Sequence, residues 1–340
     1  MILVTGGTGL VGAHLLYKLS LTESKIRAIY RSESKIEKTK HVFSYFTKNV
    51  DDLFNKIEWV KADILDVPSL EEAFQDVSHV YHSAALVSFD PNDYFLLRKT
   101  NKEGTANVVN LCLANNIDKL CYVSSIATLG KDYNQKFITE KTDWNPEYDN
   151  SVYAITKYGA EMEVWRGTQE GLNSVIVNPG IILGGGFWKM GSGALFRKIH
   201  KGMSYYTTGI LGYVDVHDVV DGMIKLMQSQ IINERYIMVA DNWSFKDFSH
   251  MVANKLNVNP PKKEAKSWQL QVAWRLDWLN YFFKRKYRKF TKQMASSVLN
   301  NSVFSSDKLK ADINYEFKSL EKSINETCEL YIKDLNKSIF

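Results

Sequence analysis

Tyr153 and Lys157 form the pair of residues in this sequence whose types and spacing most directly suggest chemistry. Among the 18 tyrosines, Tyr153 alone is followed by a lysine four residues later, and this spacing places two side chains on one face of a helix. A phenol with a pKa near 10 is about one part in a thousand ionised at neutral pH, so a nearby cation that stabilises phenolate would favour proton transfer. Lys157 can supply that charge, although such a pair is also an ordinary feature of helix surfaces.

Two hydroxyl residues, Ser124 and Ser125, follow the apolar stretch 120–123, which is typical of a buried strand. In a parallel sheet, ligands bind beyond the carboxyl ends of the strands. A hydroxyl at this position can hydrogen-bond a substrate oxygen, and the residues by themselves do not decide between the two serines.

A glycine-rich turn follows the first predicted strand. Its residues are Gly6, Gly7, Thr8, Gly9, Leu10, Val11 and Gly12, and an apolar helix pattern continues beyond it. Glycines permit a tight turn and a close approach of the backbone to a pyrophosphate, which the unpaired N–H groups at a helix start can hold. The context of strand, turn and helix predicts dinucleotide binding, and a purely structural turn is the alternative.

Arg31 at the end of the second predicted strand bears on which dinucleotide binds. NAD-binding proteins usually place a carboxylate there for the ribose 2′-hydroxyl, whereas an arginine accommodates the 2′-phosphate of NADP. Here the strand ends in Arg31, and the first carboxylate after it is Glu33. NADP(H) is therefore favoured over NAD(H), with a solvated surface role for Arg31 as the alternative.

The order of the predicted elements indicates an α/β fold. Apolar and β-branched runs predict strands at 2–4, 25–30, 57–62, 79–83, 120–124, 174–177 and 235–239, and apolar spacing predicts helices at 11–19, 70–74, 106–114 and 152–165. Strands that alternate with helices predict a doubly wound, Rossmann-type parallel sheet. After Pro179 a glycine-rich stretch begins and the chain becomes mainly helical. We therefore expect a dinucleotide-binding domain at 1–179, with 210–240 rejoining it, and a smaller, mainly helical C-terminal substrate domain at 180–209 and 241–340.

Several motifs in combination give the sequence a family resemblance. They are TGGTGLVG at the start, Asp63 and Ile64 in KADIL, Ala84 and Ala85 in HSAAL, Asn101 in TNKEGT, the serine pair, YAITK, and VNPGIILG. Together they resemble the extended short-chain dehydrogenase/reductases, also called NAD-dependent epimerase/dehydratases. The resemblance covers about the first 220 residues.

The resemblance implies a role for each matched position. Tyr153 would be the general acid/base, Lys157 would lower its pKa and bind the nicotinamide ribose, and Ser125 is preferred over Ser124 for the substrate oxygen. Asp63 with Ile64 would lie by the adenine, and Ala84 with Ala85 would line the cofactor channel. Asn101 is expected near the active-site backbone, as a cofactor-side, structural or proton-relay element, and an ordinary helix-start asparagine is the alternative.

Within the family, the sequence favours a reductase. The dehydratase Asp-Glu pair is absent, because Ile126 and Ala127 follow Ser125, and the arginine that sugar-nucleotide epimerases carry before the VxDxxD-like segment is replaced by residues 209–213, GILGY. The chain is most similar to the dihydroflavonol reductase and 3β-hydroxysteroid dehydrogenase branch, which implies reduction of a ketone or aldehyde of a largely apolar small molecule. A nucleotide-sugar epimerase with tightly bound NAD and a non-catalytic NADP-sensing module are the alternatives.

Composition excludes several other classes of partner and site. The net charge of +5 is too small and too scattered to indicate nucleic-acid binding. The three cysteines, Cys112, Cys121 and Cys328, form no CxxC pair, so we expect neither a disulfide framework nor a metal site. We expect no secretory signal and a cytoplasmic location.

The aromatic and basic segment 268–289 allows two interpretations. It could lie on a membrane surface, as interfacial helices do, or pack as core or as a lid over the substrate pocket. Aromatic residues at 274, 278 and 281/282 follow helical spacing, which favours packing over a membrane-surface partner. The expected partner is a small carbonyl or alcohol substrate, and the resemblance leaves open a homodimer through the helices near 97–114 and 152–165.

Overall fold

The described part of the chain is built around a seven-stranded parallel sheet. A computed structural model describes residues 1–23, 25–130, 137–284, 288 and 290–337. The strands in these ranges are β1 (Ile2–Thr5), β2 (Ile26–Tyr30), β3 (Ile57–Lys61), β4 (His79–His82), β5 (Lys119–Val123), β6 (Ser174–Pro179), β7 (Ile181–Leu183), β8 (Tyr205–Tyr206), β9 (Ile210–Asp215), β10 (Glu234–Met238), β11 (Asp241–Ser244) and β12 (Lys263–Glu264). The large sheet has the order β10-β6-β5-β4-β1-β2-β3. This arrangement confirms the predicted Rossmann-type fold.

Helices cover both faces of this sheet and form most of the C-terminal region. They are α1 (Leu10–Thr22), α2 (Ile36–Phe43), α3 (Val50–Phe54), α4 (Val67–Ala73), α5 (Tyr94–Leu97), α6 (Gly104–Ala114), α7 (Val152–Gln169), α8 (Gly191–His200), α9 (Val216–Gln228), α10 (Phe245–Lys255), α11 (Ser267–Lys284), α12 (Lys292–Ser297), α13 (Asp307–Asp312) and α14 (Leu320–Asn336). Short 3₁₀ turns lie at Glu33–Lys35, Pro91–Asp93 and Ile126–Thr128, and a π-helical turn at Arg98–Glu103 joins α5 to α6.

Alternation along the strands produces two hydrophobic cores. In β1, Val4 packs with α1 and α9 on one face, while Leu3 packs with α6 and α7 on the other. In β6, Val175 and Val177 face the first core and Ile176 faces the second. Because a parallel sheet is covered on both faces, its strands are apolar on both sides, which is why they read as continuous apolar runs.

The segment 210–240, which we expected to rejoin the dinucleotide-binding domain through a late strand at 235–239, contributes strands to two different sheets. Glu234–Met238 does pair in parallel with β6. Ile210–Asp215, however, lies between β7 and β11 in a separate three-stranded sheet. Gly180 allows this departure, since a Cβ there would lie 2.4 Å from the carbonyl oxygen of Gly212. The close approach of these two backbones directs the chain after Pro179 toward β9.

The aromatic segment of α11 is mostly exposed, which contradicts the expectation that it packs as core. Trp268, Trp278, Phe282 and Phe283 are 64%, 48%, 66% and 77% exposed, while Trp274 packs with Leu270 and α12 in a small cluster. Much of the basic run predicted at 284–289 lies outside the described residues. Within the residues described, no helix has the length and apolar character needed to cross a membrane.

Candidate active site

The turn between β1 and α1 is built so that only glycine fits at its key positions. Gly6 has φ of +74°, in the region that favours glycine, and a Cβ there would lie 2.6 Å from the backbone nitrogen of Ala84. A Cβ on Gly12 would lie 2.2 Å from the carbonyl oxygen of Gly6. The turn therefore packs against its own helix and against the end of β4.

The N-terminus of α1 fits an anionic group. Gly9 is the N-cap residue, no side chain caps the helix, and its first turn holds no acidic residue. The first backbone N–H groups and the positive end of the helix dipole are thus available to a negative charge. Thr8, Leu10 and Val11 lie in the same turn. The residues present fit the pyrophosphate of a dinucleotide.

The other proposed cofactor residues lie at the carboxyl ends of neighbouring strands. Arg31 follows β2 and is largely exposed, and its Nη1 lies 3.8 Å from Oδ2 of Asp63, which comes after β3. Ile64 is buried, with its side chain close to Gly104. Ala84 and Ala85 follow β4, and the backbone nitrogen of Ala84 donates to Oγ1 of Thr5.

Asn101 holds backbone in place at this edge of the sheet. It is buried in the π-helical turn, where its Oδ1 accepts from the N–H of Leu86 (2.8 Å) and its Nδ2 donates to the carbonyl oxygen of Leu86 (3.0 Å). Nδ2 also donates to Oγ1 of Thr156 (3.2 Å). These contacts join the loop after Ala85 to α7.

Tyr153 lies in the first turn of α7 and contacts Ser125. Ser151 caps the helix by accepting from the N–H of Ala154 (3.1 Å). Burial raises the pKa of Tyr153, and its hydrogen bond with the Ser125 hydroxyl partly offsets that rise. Oγ of Ser125 also accepts from the N–H of Ala127 (3.1 Å).

The structure separates the two serines that the residues alone left open. Oγ of Ser124 donates to Oε2 of the fully buried Glu161 (2.6 Å). Glu161 also accepts from Thr128 and Asn178 and forms a 3.0 Å ion pair with Arg235 on β10. Ser124 thus belongs to a structural network, whereas the hydroxyl of Ser125 faces Tyr153.

Lys157 is almost completely buried and does not donate to Tyr153. Its Nζ donates to the hydroxyl of Tyr122 (2.6 Å) and to the carbonyl oxygen of Val123 (2.8 Å). Burial lowers the pKa of Lys157 to about 7, against the opposing effect of the Glu161 charge. The sequence led us to expect that Lys157 lowers the pKa of Tyr153. In the cofactor-free chain this pKa is instead raised, because the effect of burial on the phenol outweighs that of its hydrogen bond with Ser125.

Tyr122, Thr105 and His82 form a polar chain that sequence reasoning missed. The Tyr122 hydroxyl is hydrogen-bonded to Thr105, whose Oγ1 lies 2.9 Å from Nε2 of His82, and Nδ1 of His82 lies 2.6 Å from Oγ1 of Thr5. Burial and the Lys157 charge lower the pKa of His82 to about 3. The sequence signal for this chain was the presence of His82 and Tyr122 within otherwise apolar predicted strands, because polar groups are buried only with hydrogen-bonding partners.

Phe89 forms an apolar wall beside Tyr153. The centroids of the two rings are 5.6 Å apart in an edge-to-face arrangement, and Phe89 is partly exposed. The approach to the phenol is therefore lined on this side by an aromatic surface, which favours an apolar ligand group.

Comparisons with known proteins identify relatives of this chain. The sequence profile of the NAD dependent epimerase/dehydratase family matches residues 2–238. A putative dihydroflavonol 4-reductase of Synechocystis sp. is 28% identical over 280 residues, which cover 80% of this chain and 77% of the relative. Cinnamoyl-CoA reductase 1 of Petunia hybrida is 26% identical over 248 residues, which cover 70% and 72%.

Solved structures share the fold along almost the whole chain. The crystal structure of gox2253 has a TM-score of 0.81 at 26% identity and covers 98% of both chains. UDP-glucose 4-epimerase of Thermotoga maritima has a TM-score of 0.77 at 19% identity and covers 98% of this chain and 99% of its own.

A glycine turn after the first strand of a parallel sheet, at the start of a helix, is typical of dinucleotide-binding enzymes. The matched profile covers well over half of the chain. This protein therefore belongs to the NAD-dependent epimerase/dehydratase family, and it is an NAD(P)-dependent enzyme of the extended short-chain dehydrogenase/reductase type.

Proposed function

We propose that this enzyme uses NADP(H) to reduce a ketone or aldehyde group of a largely apolar small molecule to an alcohol. The observation that carries the proposal is the contact between the hydroxyls of Tyr153 and Ser125 at the carboxyl edge of the sheet. The apolar wall at Phe89 supports an apolar substrate. The names of two relatives, a putative dihydroflavonol 4-reductase and a cinnamoyl-CoA reductase, support reduction.

The chain's own residues would hold and protonate the substrate oxygen. Ser125 and Tyr153 would both donate hydrogen bonds to the carbonyl oxygen, which polarises the C=O bond. Bound NADPH supplies the hydride that the carbonyl carbon accepts. The phenol of Tyr153, which is protonated at neutral pH, would give its proton to the developing alkoxide. Lys157 would stabilise the resulting phenolate through its buried positive charge.

Binding of the dinucleotide would use residues at the same edge. Gly6, Gly9 and Gly12 with the start of α1 would hold the pyrophosphate, and Arg31 would pair with the 2′-phosphate. Asp63 and Ile64 would contact the adenine, and Ala84 and Ala85 would line the channel. Lys157 would also contact the nicotinamide ribose.

The variant Tyr153→Phe tests the proposed chemistry, because it removes one oxygen and keeps the ring. NADPH oxidation is followed with a panel of aryl ketones and aldehydes, and the dissociation constant of NADPH is measured by fluorescence. We expect kcat to fall by about 10²-fold or more with nearly unchanged NADPH binding. Equal turnover in the variant and the wild type would remove Tyr153 from the chemistry.

Two further measurements make the result specific. Ser125→Ala should also lower kcat, whereas Ser124→Ala should mainly lower stability, because Ser124 contacts Glu161. Mass-spectrometric identification of the dinucleotide that copurifies with the protein separates the alternatives, since stoichiometric, tightly held NAD would favour an epimerase.

A further inference from the structure

Helix α11 exposes its apolar face to solvent. Apart from Trp278, its large exposed apolar residues fall at positions 268, 272, 276, 279 and 283, which follow helical spacing and form one stripe, and residue 282 borders it. They are Trp268, Val272, Leu276, Leu279, Phe282 and Phe283, between 42% and 77% exposed. We call these six residues the α11 stripe.

The opposite face of the helix accounts for its packing on the protein. Leu270 is 8% exposed, and it packs with Trp274 against α12. The usual amphipathic order, apolar inward and polar outward, is thus replaced by apolar residues on both faces. An apolar stripe of this length on the outside of a folded protein marks an interaction surface.

The charge of the surrounding sequence indicates what covers the α11 stripe. Residues 262–292 contain ten lysines or arginines and two acidic residues, a net charge of +8, whereas the whole chain carries +5. The remainder of the protein is therefore slightly negative. Aromatic and leucine side chains combined with basic residues are typical of helices that lie in the surface of an anionic membrane.

Charge also argues against a second copy of this chain as the occupant. A two-fold contact through the α11 stripe would bring the same surface of both copies together. Exposed basic residues at and beside the helix, such as Lys266 and Arg275, would then come close to their copies, which disfavours the contact. An anionic lipid surface meets the same charge with the opposite sign.

Contacts at the end of α11 connect it to the candidate active site. The hydroxyl of Tyr281 donates to Oδ1 of Asn92 (3.4 Å), and the N–H of Arg288 donates to Oδ2 of Asp90 (2.9 Å). The loop that these contacts hold begins beside Phe89, whose ring packs on Tyr153.

We propose that the α11 stripe docks this enzyme on the surface of an anionic phospholipid bilayer, with the helix in the plane of the interface. The stripe enters the boundary between headgroups and acyl chains, and exposed basic residues such as Lys266 and Arg275 meet the lipid phosphates. Docking places the Phe89 side of the active site near the lipid, from which an apolar substrate could enter. This route of substrate access rests on the proposed function, whereas the docking itself does not.

Flotation with vesicles tests the proposal on the full chain. We use phosphatidylcholine vesicles with and without phosphatidylglycerol, and compare the wild type with the double variant Leu276→Gln/Phe283→Gln, which keeps good helix formers in the helix. The wild type should float with the anionic vesicles, and a smaller fraction should float at high salt. The affinity of the Leu276→Gln/Phe283→Gln variant for these vesicles should be lower by about tenfold or more. Leu21→Gln/Ile332→Gln, at exposed apolar positions on α1 and α14, is the matched control and should float like the wild type.

A second measurement needs no substitution. Lipids brominated in their acyl chains should quench part of the tryptophan fluorescence of the wild type, because Trp268 lies in the stripe. Absence of wild-type flotation, equal flotation of the Leu276→Gln/Phe283→Gln variant, or a dimer that this variant converts to monomer without any vesicle binding would each overturn the proposal. None of these results affects the Tyr153→Phe test, so the two proposals fail separately.

Discussion

Lys157 occupies a fixed position that its hydrogen bonds to Tyr122 and Val123 define. A lysine that is almost completely buried is unusual, since burial disfavours its charged form. The two oxygen acceptors and the Glu161 charge one helical turn away partly compensate. The residue therefore has a measurable cost in stability, and that cost depends on pH.

The pKa of Lys157 predicts how stability changes with pH. Its folded pKa of about 7 lies below the usual value of 10.5, so between these values the unfolded chain binds a proton that the folded chain does not. The free energy of unfolding should therefore rise with pH in this window and be unaffected by this group below it. In urea unfolding of the cofactor-free protein, the wild type should gain on the order of 2 kcal/mol relative to Lys157→Met between pH 7 and pH 9.5.

The exposed Lys48→Met variant controls for loss of a lysine charge elsewhere. A constant difference between the wild type and Lys157→Met across this pH range would mean that the lysine is not held in a low-dielectric site.

Arg31 predicts the cofactor preference. Its guanidinium is exposed at the end of β2, near Asp63, where a 2′-phosphate would find a charge-assisted partner. Arg31→Asp should weaken NADPH binding at least tenfold more than NADH binding, measured by fluorescence titration with each dinucleotide. Lys61→Asp, which makes the same charge change at the end of β3, is the control and should affect the two cofactors alike. An unchanged ratio of the two dissociation constants in Arg31→Asp would contradict the phosphate contact.

The sequence could predict those site residues that lie close to one another along the chain. The glycine turn and the Tyr153-Lys157 pair each lie within one turn or helix, so their spacing carries the information. Tyr122, Thr105 and His82 come from β5, α6 and β4, and their contacts depend on how these elements pack. No spacing in the sequence encodes that arrangement.

Among the elements, α1 and α7 position the site, and their starts are built differently. Gly9 leaves the N-terminus of α1 uncapped, while the Ser151 side chain caps α7. An open helix start suits an anion, whereas a capped start fixes Tyr153 with respect to Ser125.

The centres of the strands and helices were predictable from the sequence, because apolar periodicity reports burial. The pairing of β9 with β7 and β11 was not predictable, because it depends on the contact between Gly180 and Gly212.

Two glycines in the first turn predict effects of different size from the same substitution to alanine. Alanine in a helix interior normally stabilises by up to about 1 kcal/mol relative to glycine. Gly12→Ala should instead destabilise by about 2 kcal/mol or more, because its Cβ would lie 2.2 Å from the Gly6 carbonyl oxygen. Gly9→Ala, with its nearest contact at 3.4 Å, should cost less than about 1 kcal/mol.

Urea unfolding of the cofactor-free variants is the measurement, because it separates packing from ligand binding. Equal stability of Gly12→Ala and Gly9→Ala would show that the turn relaxes around an added methyl group.

On the scale of the whole molecule, Asp334 joins three distant parts of the chain. This buried carboxylate on α14 accepts from Nε2 of His41 on α2 (2.9 Å), from the hydroxyl of Tyr45 and from Nε1 of Trp188 (2.7 Å). Burial raises the pKa of Asp334, but these three hydrogen bonds together lower it below its usual value. The C-terminal helix thereby fixes the segment after β2 against the segment after β7.

Removing this carboxylate should destabilise the whole fold. Asp334→Ala leaves the buried Trp188 donor and the half-buried donors of His41 and Tyr45 without this acceptor, and it should lower the free energy of unfolding by about 2 to 3 kcal/mol. Because the folded pKa is depressed, the stabilisation by Asp334 is present above its unfolded pKa and is lost as the pH falls through its folded pKa. Denaturant unfolding at neutral pH should find Glu329→Ala, an exposed carboxylate on the same helix, within about 0.5 kcal/mol of the wild type. A similarly small effect of Asp334→Ala would exclude this role.

The late arrival of β10 has a consequence for how a nascent chain folds. Until residues 234–238 have been synthesised, β6 is an open edge on which Val175, Ile176 and Val177 present unpaired backbone groups to any passing polypeptide. The same interval leaves Glu161 without Arg235, its ionic partner. A fragment that ends at Pro179 contains every residue proposed to hold the dinucleotide. It should nevertheless aggregate, because β10, the strand that covers the edge of β6, follows only after residues 180–233.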